Sequence, residues 1–188
     1  MTKRIYTELE KQEGYIQDEL LRKEVHRLLL LCPDAFFEKP ASSTGKYHPN
    51  FAKGEKGLLY HTIVAVEFAK QIIETDNYPM FDINADSVYA ALLLHDVFKY
   101  GKKGTDEHTC FEHPLYAADF VRHKMKHDLK WRIANDIASH MGKWNTSSRR
   151  KEVLPVPHTT EERLVHLCDF LASRSFINID FNILNNID

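Results

Sequence analysis

The sequence predicts an all-α protein, because apolar residues recur at helical spacing and no strand-like alternation occurs. Proline- and glycine-containing stretches separate the periodic segments, as expected of loops between helices. The chain has 188 residues, which suits one domain whose core needs no disulfides. Hydrophobic residues (43 %) and charged residues (28 %) occur in the proportions of a soluble globular protein. We therefore expect one compact bundle of about six to seven helices.

Helix-boundary residues divide the apolar pattern into successive elements. Pro33 ends the first helix, and Pro114 suits the first turn of another. Gly142 is a natural helix terminator, and residues 159–162 (TTEE) form a capping-box pattern before the last helix. The predicted helices cover residues 15–29, 57–75, 85–96, 113–126, 129–140 and 159–173.

The composition limits which partners the protein is expected to bind and where in the cell it is expected to occur. The net charge of −2 argues against binding of nucleic acid or anionic membrane by the whole surface. The longest apolar run, 28–32, is too short to span a bilayer, and the charged N-terminus is not a secretory signal. Three scattered cysteines form no disulfide framework or CxxC site. The sequence predicts a cytoplasmic single domain: residues 1–45 pack on a core of residues 46–175, and residues 176–188 form a tail.

The clearest candidate for a functional site is the pair His95-Asp96, which follows the apolar run 90–94. An unpaired carboxylate in such surroundings would be costly. Adjacent helical side chains point about 100° apart, so one metal ion can use both only where the helix ends. Gly101 and its neighbours supply such an end. The alternative interpretation is an ordinary helix C-terminus, with His95 near the dipole and Asp96 hydrogen-bonded locally.

Further polar residues interrupt apolar or terminal positions on other predicted helices. His61 lies on the apolar stripe of the second helix, and Asp169 lies in an apolar stretch of the last. His113 and His140 lie at the ends of their helices. One such histidine alone is more often an ordinary core residue, but the whole set favours a shared polar centre inside a bundle. Imidazole and carboxylate ligands suit divalent iron, manganese, nickel or zinc.

The order and context of these residues resemble the HD-domain metal-dependent phosphohydrolase superfamily, over about residues 46 to 175. Residues 57–62 (GLLYHT) are similar to the family's GGLLxHT helix start, and residues 92–99 (LLLHDVFK) to its LLHDxxK motif. His113-Pro114 and residues 168–174 (CDFLASR) fit the later motifs. The resemblance implies a helical bundle of the HD-domain type.

Two positions depart from the family pattern. Phe98 replaces a glycine present in many relatives, and no GYP motif follows it, which weighs against cyclic-dinucleotide hydrolysis. Lys56 replaces the first glycine of the paired-glycine start.

The resemblance implies two metal ions that share one carboxylate, as in the two-metal members. His61, His95, Asp96 and Asp169 would bind one ion, and Asp96, His113 and His140 would bind the second. The ions would activate a hydroxide for attack on phosphorus. Asp96 and Lys99 would be the catalytic residues.

Several residues around this set are candidates for substrate contact, each with a simpler alternative. Lys99 could reach a phosphate or be a solvated lysine, and Arg174 could bind phosphate or cap its helix. His48 could line the pocket or be a structural loop residue. Trp144 and Arg149 belong to a basic loop that could bind a polyphosphate or nucleic acid, or could be an ordinary solvated loop. His166 could orient Asp169 or pack in the core.

The leading functional hypothesis is hydrolysis of a phosphate ester or anhydride in a small nucleotide-type substrate. The second is an HD-type nuclease or phosphodiesterase acting on single-stranded nucleic acid. The third is a non-catalytic regulatory HD module, against which the complete ligand set argues. The related oxygenases, which use mixed-valent iron, are a further alternative.

Overall fold

The computed structural model describes residues 8–75, 83–148, 151–177 and 179. These residues form eight α-helices and contain no strand, which confirms the predicted fold class. Most of the predicted tail, residues 178 and 180–188, lies outside them. The helices are α1 (Glu10–Glu13), α2 (Glu19–Leu29), α3 (Ala35–Glu38), α4 (Gly57–Ile73), α5 (Ala85–Leu94), α6 (His113–Lys124), α7 (Lys130–Ser139) and α8 (Thr160–Ala172). Two 3-10 helices are η1 (Asn50–Ala52) and η2 (Gly142–Trp144).

The six longer helices correspond to the six predicted segments, with shifted ends. The first begins at Glu19 rather than Tyr15, because the Asp18 side chain accepts hydrogen bonds from the amides of Leu20 and Leu21 and caps the helix there. The predicted capping box of α8 is present: Thr159 accepts from the amide of Glu162, whose carboxylate accepts in return. The additional helices α1 and α3 have four residues each, too short to produce a periodic pattern.

Helix α5 is the centre of the bundle. It packs against α1, α2, α4, α7 and α8, and every residue from Ser87 to Leu94 is buried. A helix surrounded on all sides is apolar all round rather than on one stripe, which explains the run of alanine and leucine at its end. The chain leaves this helix at His95-Asp96, so the pair lies in the interior. No helix in the described ranges is both long and apolar enough to cross a membrane.

The start of α4 depends on a close backbone approach. Lys56 precedes the helix in the left-handed region, with φ of 60°. A Cβ on Gly57 would overlap the carbonyl group of Ala52 in η1. The second glycine of the motif is therefore required for packing, whereas the lysine occupies a conformation that glycine adopts at lower cost. One turn after Gly57, the helix presents His61 to the interior.

Candidate metal centre

Six side chains from five helices or their ends converge in the middle of the bundle. Four come from the ends or the beginning of helices: His95 and Asp96 after α5, His113 at the start of α6, and His140 after α7. All are buried, apart from Asp169, whose side chain is 15 % exposed. Their ligand atoms form two groups, each with all its atoms within 4.8 Å of one another: His61, His95, Asp96 and Asp169, and Asp96, His113 and His140.

Asp96 lies between the two groups, and each of its carboxylate oxygens faces one of them. Its Oδ2 is 3.4 Å from the Nε2 of His95 and 3.7 Å from the Nε2 of His61. Its Oδ1 is 2.9 Å from the Nε2 of His113 and 3.7 Å from the Nε2 of His140. This is the arrangement of a carboxylate that could bridge two ions.

Asp169 completes the first group from helix α8. Its Oδ1 lies 3.0 Å from the Nε2 of His61 and 3.6 Å from the Nε2 of His95. The first group therefore offers two imidazoles and two carboxylates, whereas the second offers two imidazoles and the shared carboxylate.

Three of the histidines are held by the ring nitrogen that faces away from the site. The Nδ1 of His95, of His113 and of His140 each donates to the carbonyl oxygen three residues earlier, at 2.7, 2.6 and 2.7 Å. Such a bond fixes the tautomer and directs the Nε2 lone pair inward. The Nε2 atoms of His113 and His140 then lie 3.2 Å apart. If both rings are neutral in this tautomer, the lone pairs of the two Nε2 atoms face each other. Their repulsion is relieved only by a proton or a cation between them.

Several buried polar atoms of the site have no hydrogen-bond partner within the described part of the chain. They include both ring nitrogens of His61, the Nε2 of His95 and the Oδ1 of Asp96. Buried polar atoms are rarely left unpaired, and each costs free energy when it is. Ligand atoms that point at a common metal ion approach one another closely without forming hydrogen bonds. The residues present therefore fit divalent metal ions.

The electrostatics keep the ligands largely in their metal-binding forms. Burial alone would raise the pKa of Asp96, but Lys99 and His95 outweigh it, and this pKa lies well below its ordinary value. The pKa of Asp169 is likewise well below its ordinary value, since contacts with His61 and His95 outweigh its burial. Burial, together with the charge of His95, lowers the pKa of His140 to about 3. Two carboxylates and a neutral imidazole are therefore present at neutral pH.

His95 behaves differently when no ion is bound. Burial opposes its charge, but Asp96 and Asp169 outweigh burial and raise the pKa of His95 to about 10. A metal ion at this position would have to displace a proton, so its binding is expected to strengthen as the pH rises.

Lys99 and His48, both predicted substrate contacts, lie beside this centre. Lys99 forms an ion pair with the Oδ2 of Asp96, and its side chain is only 13 % exposed, so it is not a solvated lysine. The ring of His48 lies 5.7 Å from that of His61. Both ring nitrogens of His48 are buried without a hydrogen-bond partner in the described residues.

Arg174 and Trp144 lie together around an aromatic ring that the sequence did not single out. The Nε of Arg174 donates to the carbonyl oxygen of Phe170, and its guanidinium lies 4.3 Å from the centre of that ring. Trp144 stacks on Phe170 at 5.3 Å and 16°, and the Nζ of Lys143 lies 4.8 Å from the Trp144 ring. Arg174 thus makes the helix-end contact named as its alternative role. Arg149 lies outside the described residues.

His166, expected either to orient Asp169 or to pack in the core, makes its hydrogen bond to a different residue. Its Nδ1 donates to the carbonyl oxygen of His140 at 2.7 Å. Nothing in the sequence indicated this contact, because the two residues are 26 positions apart and meet only in the folded chain.

The profile of the HD domain family matches residues 58–174, which is more than half of the chain. The protein therefore belongs to the HD domain family, and the family predicted from the motifs is confirmed. This family places it in the metal-dependent phosphohydrolase superfamily. The comparison with curated proteins found no match, and neither did the comparison with solved structures.

Proposed function

We propose that this protein is a two-metal phosphohydrolase that cleaves a phosphate ester or anhydride of a nucleotide-type substrate. The observation that supports it most is the position of Asp96, with one oxygen toward each of two groups of ligand atoms. Two divalent ions among iron, manganese, nickel and zinc would supply Lewis-acid activation of water and neutralise charge on the phosphoryl group.

The residues beside the ligands suit a phosphoryl substrate. Lys99 places a cationic amine at the edge of the first group, where it balances the charge of Asp96. Once that charge is balanced by an ion, the amine would be free to contact a phosphoryl oxygen. His48 offers one donor and one acceptor in its neutral form, and burial together with the nearby His61 lowers its pKa to about 3. Its unpaired nitrogens suit a hydrogen bond to the phosphate or to the leaving oxygen.

The nucleotide class of substrate is supported by the aromatic and cationic residues that follow two of the ligands. Trp144 comes four positions after His140, and Arg174 five after Asp169. Trp144 as a residue is 39 % exposed although its ring stacks on Phe170, so it is proposed to be accessible to a base. Arg174 would pair with a phosphate through N–H groups other than the Nε–H that donates to Phe170. Arg149, which lies outside the described residues, is proposed as a further phosphate contact on the basis of its charge alone.

The experiment compares wild type with Asp96→Asn on a panel of nucleotides, dinucleoside polyphosphates and single-stranded oligonucleotides, after reconstitution with each metal. We expect hydrolysis of small nucleotides, and a loss of about 10³-fold in Asp96→Asn, because the shared carboxylate is removed with little change in shape. Asp119→Asn, at an exposed position on α6, is the matched control and should retain activity.

Two results would contradict the proposal. Activity that survives Asp96→Asn unchanged would remove the metal mechanism. Activity confined to oligonucleotides, with a steep fall as salt rises, would instead assign the protein as a nuclease.

A further inference from the structure

Beside the second group of ligand atoms, a side chain of helix α8 forms a hydrogen bond with the end of helix α7. His140 is the C-cap of α7, where backbone carbonyl groups lack a partner within the helix. The carbonyl oxygen of His140 accepts a hydrogen bond from the Nδ1 of His166, at 2.7 Å. His140 is therefore held twice: its ring by the carbonyl oxygen of Ile137, and its backbone by His166.

The backbone turn that follows α7 leaves room for the His166 ring. Two residues after His140, Gly142 turns with φ of +55°, and a Cβ at that position would overlap the imidazole ring of His166. The ring therefore lies directly against the turn. On its other sides it contacts the rings of Trp144 and Phe170, whose centres lie 5.9 and 6.5 Å away. These contacts leave the imidazole little freedom to leave the carbonyl group of His140.

Helix α8 determines how the two groups of ligand atoms are spaced. Helix α8 supplies Asp169 to the first group. Three residues earlier on the same helix, His166 holds His140, which belongs to the second group. One rigid helix thus positions a ligand of each group, one directly and one through a hydrogen bond.

We propose that His166 is a positioning residue that fixes His140 relative to Asp96 and thereby sets the affinity of the second metal ion. The inference rests on the proposed two-metal function. His166 has no atom in either group of ligand atoms, so it acts through His140. Loss of partners that orient metal ligands typically costs about 10–100-fold in affinity.

The test is calorimetric titration of the metal-free protein with Zn²⁺, for wild type, His166→Ala, His166→Gln and His166→Asn. His166→Ala and His166→Gln should weaken the second ion by about 10-fold or more and leave the first nearly unchanged. His166→Asn should restore most of the affinity, because its amide nitrogen can donate from nearly the position of Nδ1. His166→Gln retains a polar side chain of similar bulk, so it replaces the alanine variant in the test if that variant fails to fold.

His123 provides a matched control. Its Nδ1 makes the same kind of bond, to the carbonyl oxygen of Asp119 at 2.7 Å, but it is exposed. His123→Ala should leave both affinities unchanged. Unchanged binding of the second ion in His166→Ala or His166→Gln would overturn the inference, and so would an equal loss in His166→Asn. Fewer than two ions in the wild type would overturn the two-metal proposal itself, and this inference with it.

Discussion

Two buried aspartates have opposite environments, and the difference determines their charge. Asp96 is surrounded by cationic partners and stays ionised. Asp136, on α7, is only 1 % exposed, and its Oδ2 has no hydrogen-bond partner among the residues described. Burial, together with the negative charges of Glu161 and Glu162, raises the pKa of Asp136 to about 8. Asp136 is therefore largely protonated at neutral pH in the folded protein.

This raised pKa predicts how Asp136 affects stability as the pH changes. A carboxyl whose pKa is higher in the folded state stabilises the protein at low pH, and that stability is lost as the pH rises toward the folded-state pKa. Asp136→Asn cannot ionise. The free energy of unfolding of this variant, relative to wild type, should therefore rise by roughly 3–4 kcal/mol between about pH 5 and pH 8, since each pH unit well below the folded-state pKa contributes about 1.4 kcal/mol. Denaturant unfolding at a series of pH values measures the difference.

Asp128→Asn is the control for this series, because Asp128 is exposed. Its effect on the free energy of unfolding should be small, as for most exposed positions. A difference between Asp136→Asn and wild type that is constant over the same range would show that Asp136 does not ionise there.

At the scale of elements, the Lys56-Gly57 start of α4 controls where His61 enters the site. Gly57→Ala would place a methyl group against the carbonyl group of Ala52, which is backbone and cannot rotate away. We expect a loss of about 2 kcal/mol in the free energy of unfolding, together with weaker binding of the first ion, because His61 lies one turn further along the helix. Thermal unfolding and metal titration measure the two effects.

Gly54→Ala is a close control in the same loop. Among the described residues, no atom beyond its chain neighbours lies within 4 Å of a Cβ at that position, and its backbone does not require a positive φ. This variant should unfold within about 0.5 kcal/mol of wild type. Equal destabilisation by the two substitutions would show that the contact with Ala52 is unimportant.

The sequence predicted the elements that have a repeating apolar pattern, and it missed those that lack one. The six longer helices show that pattern, whereas α1 and α3 are single turns that depend on tertiary contacts. The six residues proposed as ligands could be selected because each is a polar group in apolar surroundings or at a helix end. The contact between His166 and His140, and the burial of Asp136, could not be predicted, since both depend on how helices approach one another.

At the scale of the whole molecule, the proposed metal centre connects most of the bundle. The ligand atoms come from α4, α8 and the ends of α5, α6 and α7, and α5 packs against five other helices. Ions bound here would link segments distant in sequence, so metal binding is expected to stabilise the entire fold.

The most direct test of the central claim is the number of metal ions bound per chain, measured by elemental mass spectrometry after removal of metal and saturation with Mn²⁺. His113→Ala removes a ligand of the second group only, and Asp96→Asn removes the one ligand common to both. We expect two ions in the wild type, one in His113→Ala and weak or no retention in Asp96→Asn. Two ions retained in Asp96→Asn, or a single ion in wild type and His113→Ala alike, would contradict the shared two-metal site.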